Sequence, residues 1–207
     1  MTYEIHKLTY SDGRAYRYHI SDAAGHLCYV AEHASMLRSS RTRLVEFFDP
    51  DQNPVGRLQP PDVPPWCRPT HYEVFVGAEV QEPRAAIQER WRLVDILLLR
   101  MPRYELQLGK HLYAARGSRY GAHFFEIFRP RSEKDLDKGR MHTTDTEESG
   151  AQGDPHELTE IKVGEIRRPT AGPSYVIETD AAPLRQAPLV LAALAILIDM
   201  ELFSRGT

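Results

Sequence analysis

The feature that most constrains the fold is an apolar run near the end of the chain. Every residue from Leu189 to Ile198 is apolar, so a helix over 188–203 would have no polar face. Such a helix must be buried in protein or in lipid, and a bilayer span needs about 20 apolar residues. This run is shorter and stops at Asp199 and Glu201. We therefore predict a core helix over 188–203 enclosed by a barrel or sandwich, with a membrane anchor as the alternative.

Short strand patterns separated by turns fill most of the remaining chain. Fifteen prolines and thirteen glycines suit many short strands and turns. Alternation of apolar and polar residues predicts strands over 16–20, 26–32, 43–48, 55–58, 71–76, 104–108, 111–115, 122–128, 158–168 and 174–179. Residues 83–100 fit both a strand and a helix, and we favour a strand for the first half of that stretch.

A motif repeated within the chain indicates two related halves. Residues 55–61 and 163–169 share the form V-G-x-[LI]-x-x-P, and a tyrosine-bearing strand follows each, at Tyr72 and at Tyr175. A duplicated β unit produces such a repeat, and closing the two copies into a barrel removes the sheet edges. The fold we predict is mainly β, a closed antiparallel barrel of two related halves around the helix.

Charge is unevenly distributed along the chain. Residues 84–131 carry ten Lys and Arg against four Asp and Glu, whereas residues 133–160 carry three against nine. The acidic stretch has few large apolar residues, so we predict a disordered loop over 131–156. The candidate residues for anionic lipid headgroups are Arg84, Arg90, Arg92, Arg100 and Arg103. The alternatives are a solvated barrel exterior and a basic face masked by the acidic loop.

Motifs that carry chemistry are missing from the sequence, so we predict no catalytic residue, metal or cofactor. The nine histidines lack the spacing of helical zinc sites and zinc fingers, although strand pairing could bring two of them together. The segment Asp49–Asn53 begins like a calcium loop, but Pro54 stands where glycine is needed, so we predict a hairpin turn. Cys28 and Cys67 are expected to be free thiols.

Two further properties bear on location and partners. The first residues hold no apolar segment of the kind found in signal peptides, so we expect a cytoplasmic protein. The formal net charge of −3 lacks the basic excess of nucleic-acid-binding proteins, so we expect no nucleic-acid partner. The sequence specifies no oligomeric state.

The paired strand–turn–glycine units, the Val163–Ile166 strand, and an apolar helix ending in Ile198–Asp199 resemble the LURP-one-related and phospholipid-scramblase group. The resemblance implies the tubby C-terminal-like fold: a single domain over 1–207, with about twelve antiparallel strands around a hydrophobic C-terminal helix.

In function, the resemblance implies a non-enzymatic binding module that docks on an anionic phospholipid surface or on a protein partner. Lipid docking would place it peripherally at the inner membrane surface. The alternatives are a scramblase-like membrane-associated protein and an enzyme without a recognisable motif.

Overall fold

The computed structural model describes residues 1–9, 15–33, 44–61, 70–77, 80–90, 102–117, 124–130 and 160–203. Twelve strands in these ranges form one closed antiparallel barrel in which each strand pairs with its neighbours along the chain. The strands are β1 (Thr2–Thr9), β2 (Ala15–Asp22), β3 (Leu27–His33), β4 (Val45–Phe48), β5 (Pro54–Gln59), β6 (His71–Val76), β7 (Ala85–Arg90), β8 (Arg103–Leu108), β9 (His111–Gly117), β10 (Phe124–Pro130), β11 (Glu160–Arg167) and β12 (Tyr175–Thr179). Two helices follow, α1 (Ala182–Arg185) and α2 (Pro188–Phe203). The predicted fold class is confirmed.

Pairing between the first and last strands closes the barrel. The register of β1 with β12 runs from Thr2 opposite Glu178 to Ile5 opposite Tyr175. The Met1 ammonium donates a hydrogen bond of 3.0 Å to the carbonyl oxygen of Thr179. We call the end of the barrel at which β1 begins the near rim, and the end at which β1 finishes the far rim.

Helix α2 occupies the barrel interior. It begins close to the near rim, runs towards the far rim, and exposes no more than 1% of any residue from Val190 to Ile198. Inward-facing side chains on the strands surround it on all sides, which is why a helix without a polar face is stable here. The predicted core helix is confirmed. Among the helices in the described ranges, none has both the length and the apolar character needed to cross a bilayer.

Most predicted strands are found within a few residues of their expected bounds. In the ambiguous stretch, residues 85–90 form β7 as favoured, while 91–100 lie outside the described residues. The acidic segment 131–156 also lies outside them. Two elements, β1 and α1, were not predicted, although Tyr3 and Ile5 already alternate with polar residues in β1.

The two halves of the barrel, β1–β6 and β7–β12, are related by the repeated V-G motif. Gly56 lies opposite Phe47 and Val76, and Gly164 lies opposite Ile127 and Thr179, at the same points of the two halves. Tyr72 and Tyr175 then occupy matching positions on β6 and β12, four residues before those partners. The two halves therefore have the same strand register around the repeated motif.

Each motif also contains a β-bulge at its valine. The pairing of β4 with β5 skips Val55, and the pairing of β10 with β11 skips Val163. On the other side of each strand the ladder continues, since the carbonyl oxygen of Val55 accepts a hydrogen bond of 2.7 Å from Gly77 and that of Val163 accepts one of 3.1 Å from Asp180. A bulge increases local strand twist, so two equivalent bulges bend both halves alike towards closure.

Candidate functional site

Arginines from three adjacent strands lie side by side on the outer surface near the far rim. Arg90 ends β7 and is directly opposite Arg103, which begins β8. The register that pairs Tyr104 with Ala115 places Arg116 of β9 opposite Arg103. Because Tyr104 and Ala115 are buried in the core, their neighbours on each strand point outward. We call these three residues the arginine row.

Three arginines side by side destabilise the sheet unless acidic residues or a ligand neutralise their charges. Like charges directly opposite each other on a sheet are destabilising. Arg90 Nε lies 3.2 Å from Glu105 Oε2, and Arg116 Nη2 lies 2.6 Å from Glu160 Oε1. The Arg90 pair is about half exposed on both sides, so it contributes little to folding. The charge of Arg90 therefore contributes more to the outer surface than to folding stability, whereas the Arg116 pair is about three-quarters buried.

The five arginines predicted from sequence do not form one site. Arg84 precedes β7 at the near rim, about 20 Å along the strand from Arg90 at 3.3 Å per residue. Arg92 and Arg100 lie outside the described residues. The structure therefore brings together Arg90 and Arg103 and adds Arg116. That third member was missed because only strand register shows that it adjoins Arg103.

A second polar cluster lies inside the barrel, close to the far rim. The Asp199 carboxylate on α2 accepts hydrogen bonds from Tyr18 Oη at 2.8 Å and from Tyr175 Oη at 2.6 Å. Lys7 Nζ lies 2.9 Å from Asp199 Oδ2, and both side chains are less than 10% exposed. We call these four residues the Asp199 network. It joins β1, β2 and β12 to the helix, so it fixes the helix at the seam where the barrel closes.

The electrostatics of the Asp199 network follow from burial. Burial, and then the negative charge of Asp199, raise the pKa of Tyr18 and of Tyr175 well above that of a free tyrosine. Both phenols therefore stay protonated and keep donating to the carboxylate. Removing one partner of such a buried ion pair costs about 3–5 kcal/mol, since the other charge is left uncompensated.

The second half of the barrel carries polar residues at the equivalent positions. Glu89 pairs with Tyr104 as Lys7 pairs with Tyr18, and Tyr72 matches Tyr175. Glu89, Tyr104 and Tyr72 are all at least 97% buried. Both halves therefore have tyrosines at these positions, whereas the strand residue is Lys7 in one half and Glu89 in the other.

The structure also shows where the predicted turn and one of the two cysteines lie. The Asp49 carboxylate accepts hydrogen bonds from Asn53 N at 2.8 Å and Asn53 Nδ2 at 2.9 Å, which confirms a hairpin turn. Cys28 is a free thiol, and Cys67 lies outside the described residues. Within the part of the chain that the structure describes, groups of three or more His, Cys, Asp or Glu able to hold a metal ion do not occur.

Comparison with known proteins identifies similarity to one solved structure. No family model matches the chain, and no curated protein matches it. The solved structures include a protein from Arabidopsis thaliana with a TM-score of 0.49 and 13% sequence identity, over 95% of this chain and 90% of that one. A similarity at this level carries no argument about function.

Proposed function

We propose that this protein is a non-enzymatic binding module that docks on anionic phospholipid headgroups through the arginine row. The observation that carries the proposal is the placement of Arg90, Arg103 and Arg116 opposite one another on the outer surface. The resemblance to the tubby-like group supports the same function. A headgroup phosphate matches a guanidinium because it accepts two parallel hydrogen bonds.

The surroundings of the row suit a membrane surface. On β10, Glu126 is opposite Arg116, and the half-buried ring of Phe128, two residues further along, is 5.3 Å from the guanidinium carbon of Arg116. Phenylalanine beside basic residues suits the boundary between headgroups and acyl chains, and each well-placed cation near an anionic leaflet contributes about 1 kcal/mol. A scramblase-like role would instead require α2 to leave the barrel, which would separate Lys7 from Asp199.

Co-sedimentation with vesicles containing phosphatidylserine tests the proposal. We expect binding that weakens with added salt, because the Debye length shortens from about 10 Å at 0.1 M to about 3 Å at 1 M. The double variant Arg90→Ala/Arg103→Ala should bind about thirtyfold more weakly, the equivalent of two contacts of about 1 kcal/mol.

A matched control is available at the other end of the barrel. Arg84 and Arg185 are exposed near the near rim, so Arg84→Ala/Arg185→Ala removes the same charge without touching the arginine row. This control should bind vesicles as the natural protein does. Equal loss in both double variants would show an effect of net charge alone, and absence of any salt-sensitive binding would exclude the lipid surface as the partner.

A further inference from the structure

Two histidines that are distant in sequence meet on the outer face of the barrel. His6 on β1 and His19 on β2 are direct partners in the antiparallel register. Ile5 and Ile20, their neighbours along each strand, are buried, so both imidazoles project from the outer side. From the sequence, strand pairing could bring two histidines together, and the pairing of β1 with β2 does so for His6 and His19.

We propose that His6 and His19 form a two-imidazole chelate for a divalent transition metal such as Zn²⁺. Side chains directly opposite each other on a sheet have Cβ atoms about 4.5–5.5 Å apart. Metal–nitrogen bonds are about 2.0–2.1 Å, so one ion can bridge two imidazoles at this separation. Imidazole is a preferred ligand of zinc, copper and nickel, and water completes the coordination sphere.

Glu4 provides a supporting carboxylate on the same face. Its Oε2 atom lies 3.8 Å from Nε2 of His6, two residues further along β1. A histidine that binds metal commonly turns its second ring nitrogen towards a carboxylate, which orients the ring and makes it more basic. Glu4 is therefore placed to accept a hydrogen bond from Nε2 of His6 once the ring turns towards it, which would leave Nδ1 for the ion.

The neighbouring residues hold the chelate in place on the outer face. His19 is opposite Val30 and Glu4 is opposite Val176, and both valines are nearly buried on the outer face. Arg17 lies two residues before His19 on β2 and therefore points to the same face. Arg17 is itself paired with Glu32 at 2.6 Å, which reduces its repulsion of a cation.

The position in the barrel also favours binding without rearrangement. β1 is hydrogen-bonded on both sides, to β12 and to β2, so the two histidines stand on backbone that the barrel holds in place. Preorganised ligands on rigid strands lose little entropy when a metal binds. The chelate lies outside the barrel wall, whereas the Asp199 network lies inside it, so the two sites share no side chain.

Isothermal titration of the full chain with Zn²⁺ tests the proposal. We expect one ion per chain, and at least a tenfold rise in Kd for His6→Gln and for His19→Gln. Glu4→Gln should raise Kd by a smaller factor, up to about tenfold, because it removes only the orienting carboxylate. Circular dichroism spectra that match the natural protein would show that these variants still fold.

Two other exposed histidines serve as matched controls. His26 and His111 lie on the near-rim side of the barrel, so His26→Gln and His111→Gln should leave the Kd unchanged. Saturating Zn²⁺ should raise the unfolding temperature of the natural protein and of these controls by about 2–6 °C, but not that of His19→Gln. Unchanged binding in His19→Gln, equal loss in the controls, or absence of binding would each overturn the proposal.

Discussion

Asp199 is the residue on which the interior depends most. It directly follows the apolar run of α2, and it accepts hydrogen bonds from two tyrosines while it pairs with Lys7. A buried carboxylate is stable only when its charge and its lone pairs are satisfied, and here three donors do so. The residue that interrupts the apolar run is therefore the one that holds the helix in register with the strands.

The phenols of this network predict how stability responds to alkaline pH. Because the pKa values of Tyr18 and Tyr175 are raised in the folded protein, above pH 10 the unfolded chain releases these protons while the folded chain keeps them. The free energy of unfolding should therefore be fully retained below about pH 10 and fall as pH rises beyond it, by about 1.4 kcal/mol per pH unit for each tyrosine.

Urea unfolding of the natural protein and of Tyr18→Phe/Tyr175→Phe at a series of alkaline pH values measures this slope. The double variant should be less stable at neutral pH, yet lose stability less steeply above about pH 10. Phe47→Leu changes another buried aromatic residue that does not titrate, so it should lower stability at every pH and leave the slope unchanged. Parallel slopes for the double variant and the natural protein would contradict the role given to the two phenols.

At the scale of elements, the V-G motif sets how closely β5 and β11 approach their partners. A Cβ atom on Gly56 would lie 2.5 Å from the carbonyl oxygen of Phe75, and one on Gly164 would lie 2.6 Å from that of Glu178. Phe75 and Glu178 occupy the same position in the two halves. The glycines are therefore required by close approach of backbone rather than by backbone angle.

Gly56→Ala and Gly164→Ala should each destabilise the protein by about 1–3 kcal/mol, because backbone atoms must move to admit the methyl group. Gly25 is a useful comparison, since it has a φ of +83° but a Cβ atom there would meet nothing within 4 Å. Gly25→Asn should cost less than either alanine variant, because asparagine tolerates a positive φ. Thermal or urea unfolding of the three variants measures these differences in stability. Alanine variants as stable as the natural protein would show that the backbone does not approach these glycines so closely.

At the scale of the whole molecule, barrel and helix depend on each other. The strands present a complete ring of inward apolar side chains, and α2 is the element that fills the space between them. A void of that size would forfeit the packing contacts and the burial that stabilise the core. The closing pair, β1 with β12, also joins residues from the two ends of the described chain, so local contacts alone do not complete the fold.

A chain that ends at Ala187 should therefore not unfold cooperatively in urea, since its twelve strands would have no core to enclose. A chain that ends at Phe203 retains α2 and should unfold in a single transition like the full-length protein. Circular dichroism and tryptophan fluorescence, followed through the same urea titration, measure the unfolding of both shortened chains. A cooperative transition in the shorter chain would show that the barrel is stable without its helix.

The sequence pattern was sufficient to predict those parts of the fold whose burial follows from the residues next to them in the chain. An unbroken apolar run from Leu189 to Ile198 must be covered on every side, and its length separates a core helix from a bilayer span. Alternation predicted most strands, and the repeated V-G motif predicted two related halves. β1 was missed although it closes the barrel, because no turn signal in its own sequence reveals its pairing with β12.

Only the tertiary structure decided which side chains meet. Lys7 and Asp199 come from opposite ends of the chain, His6 and His19 from facing strands, and the arginine row from the registers of three strands. Strand register depends on bulges and on closure of the whole barrel, and a shift of one residue would send each side chain to the other face. The sequence by itself therefore determined that a barrel encloses the helix, whereas strand register, together with closure at Lys7 and Asp199, determined where its charged groups and histidines come together.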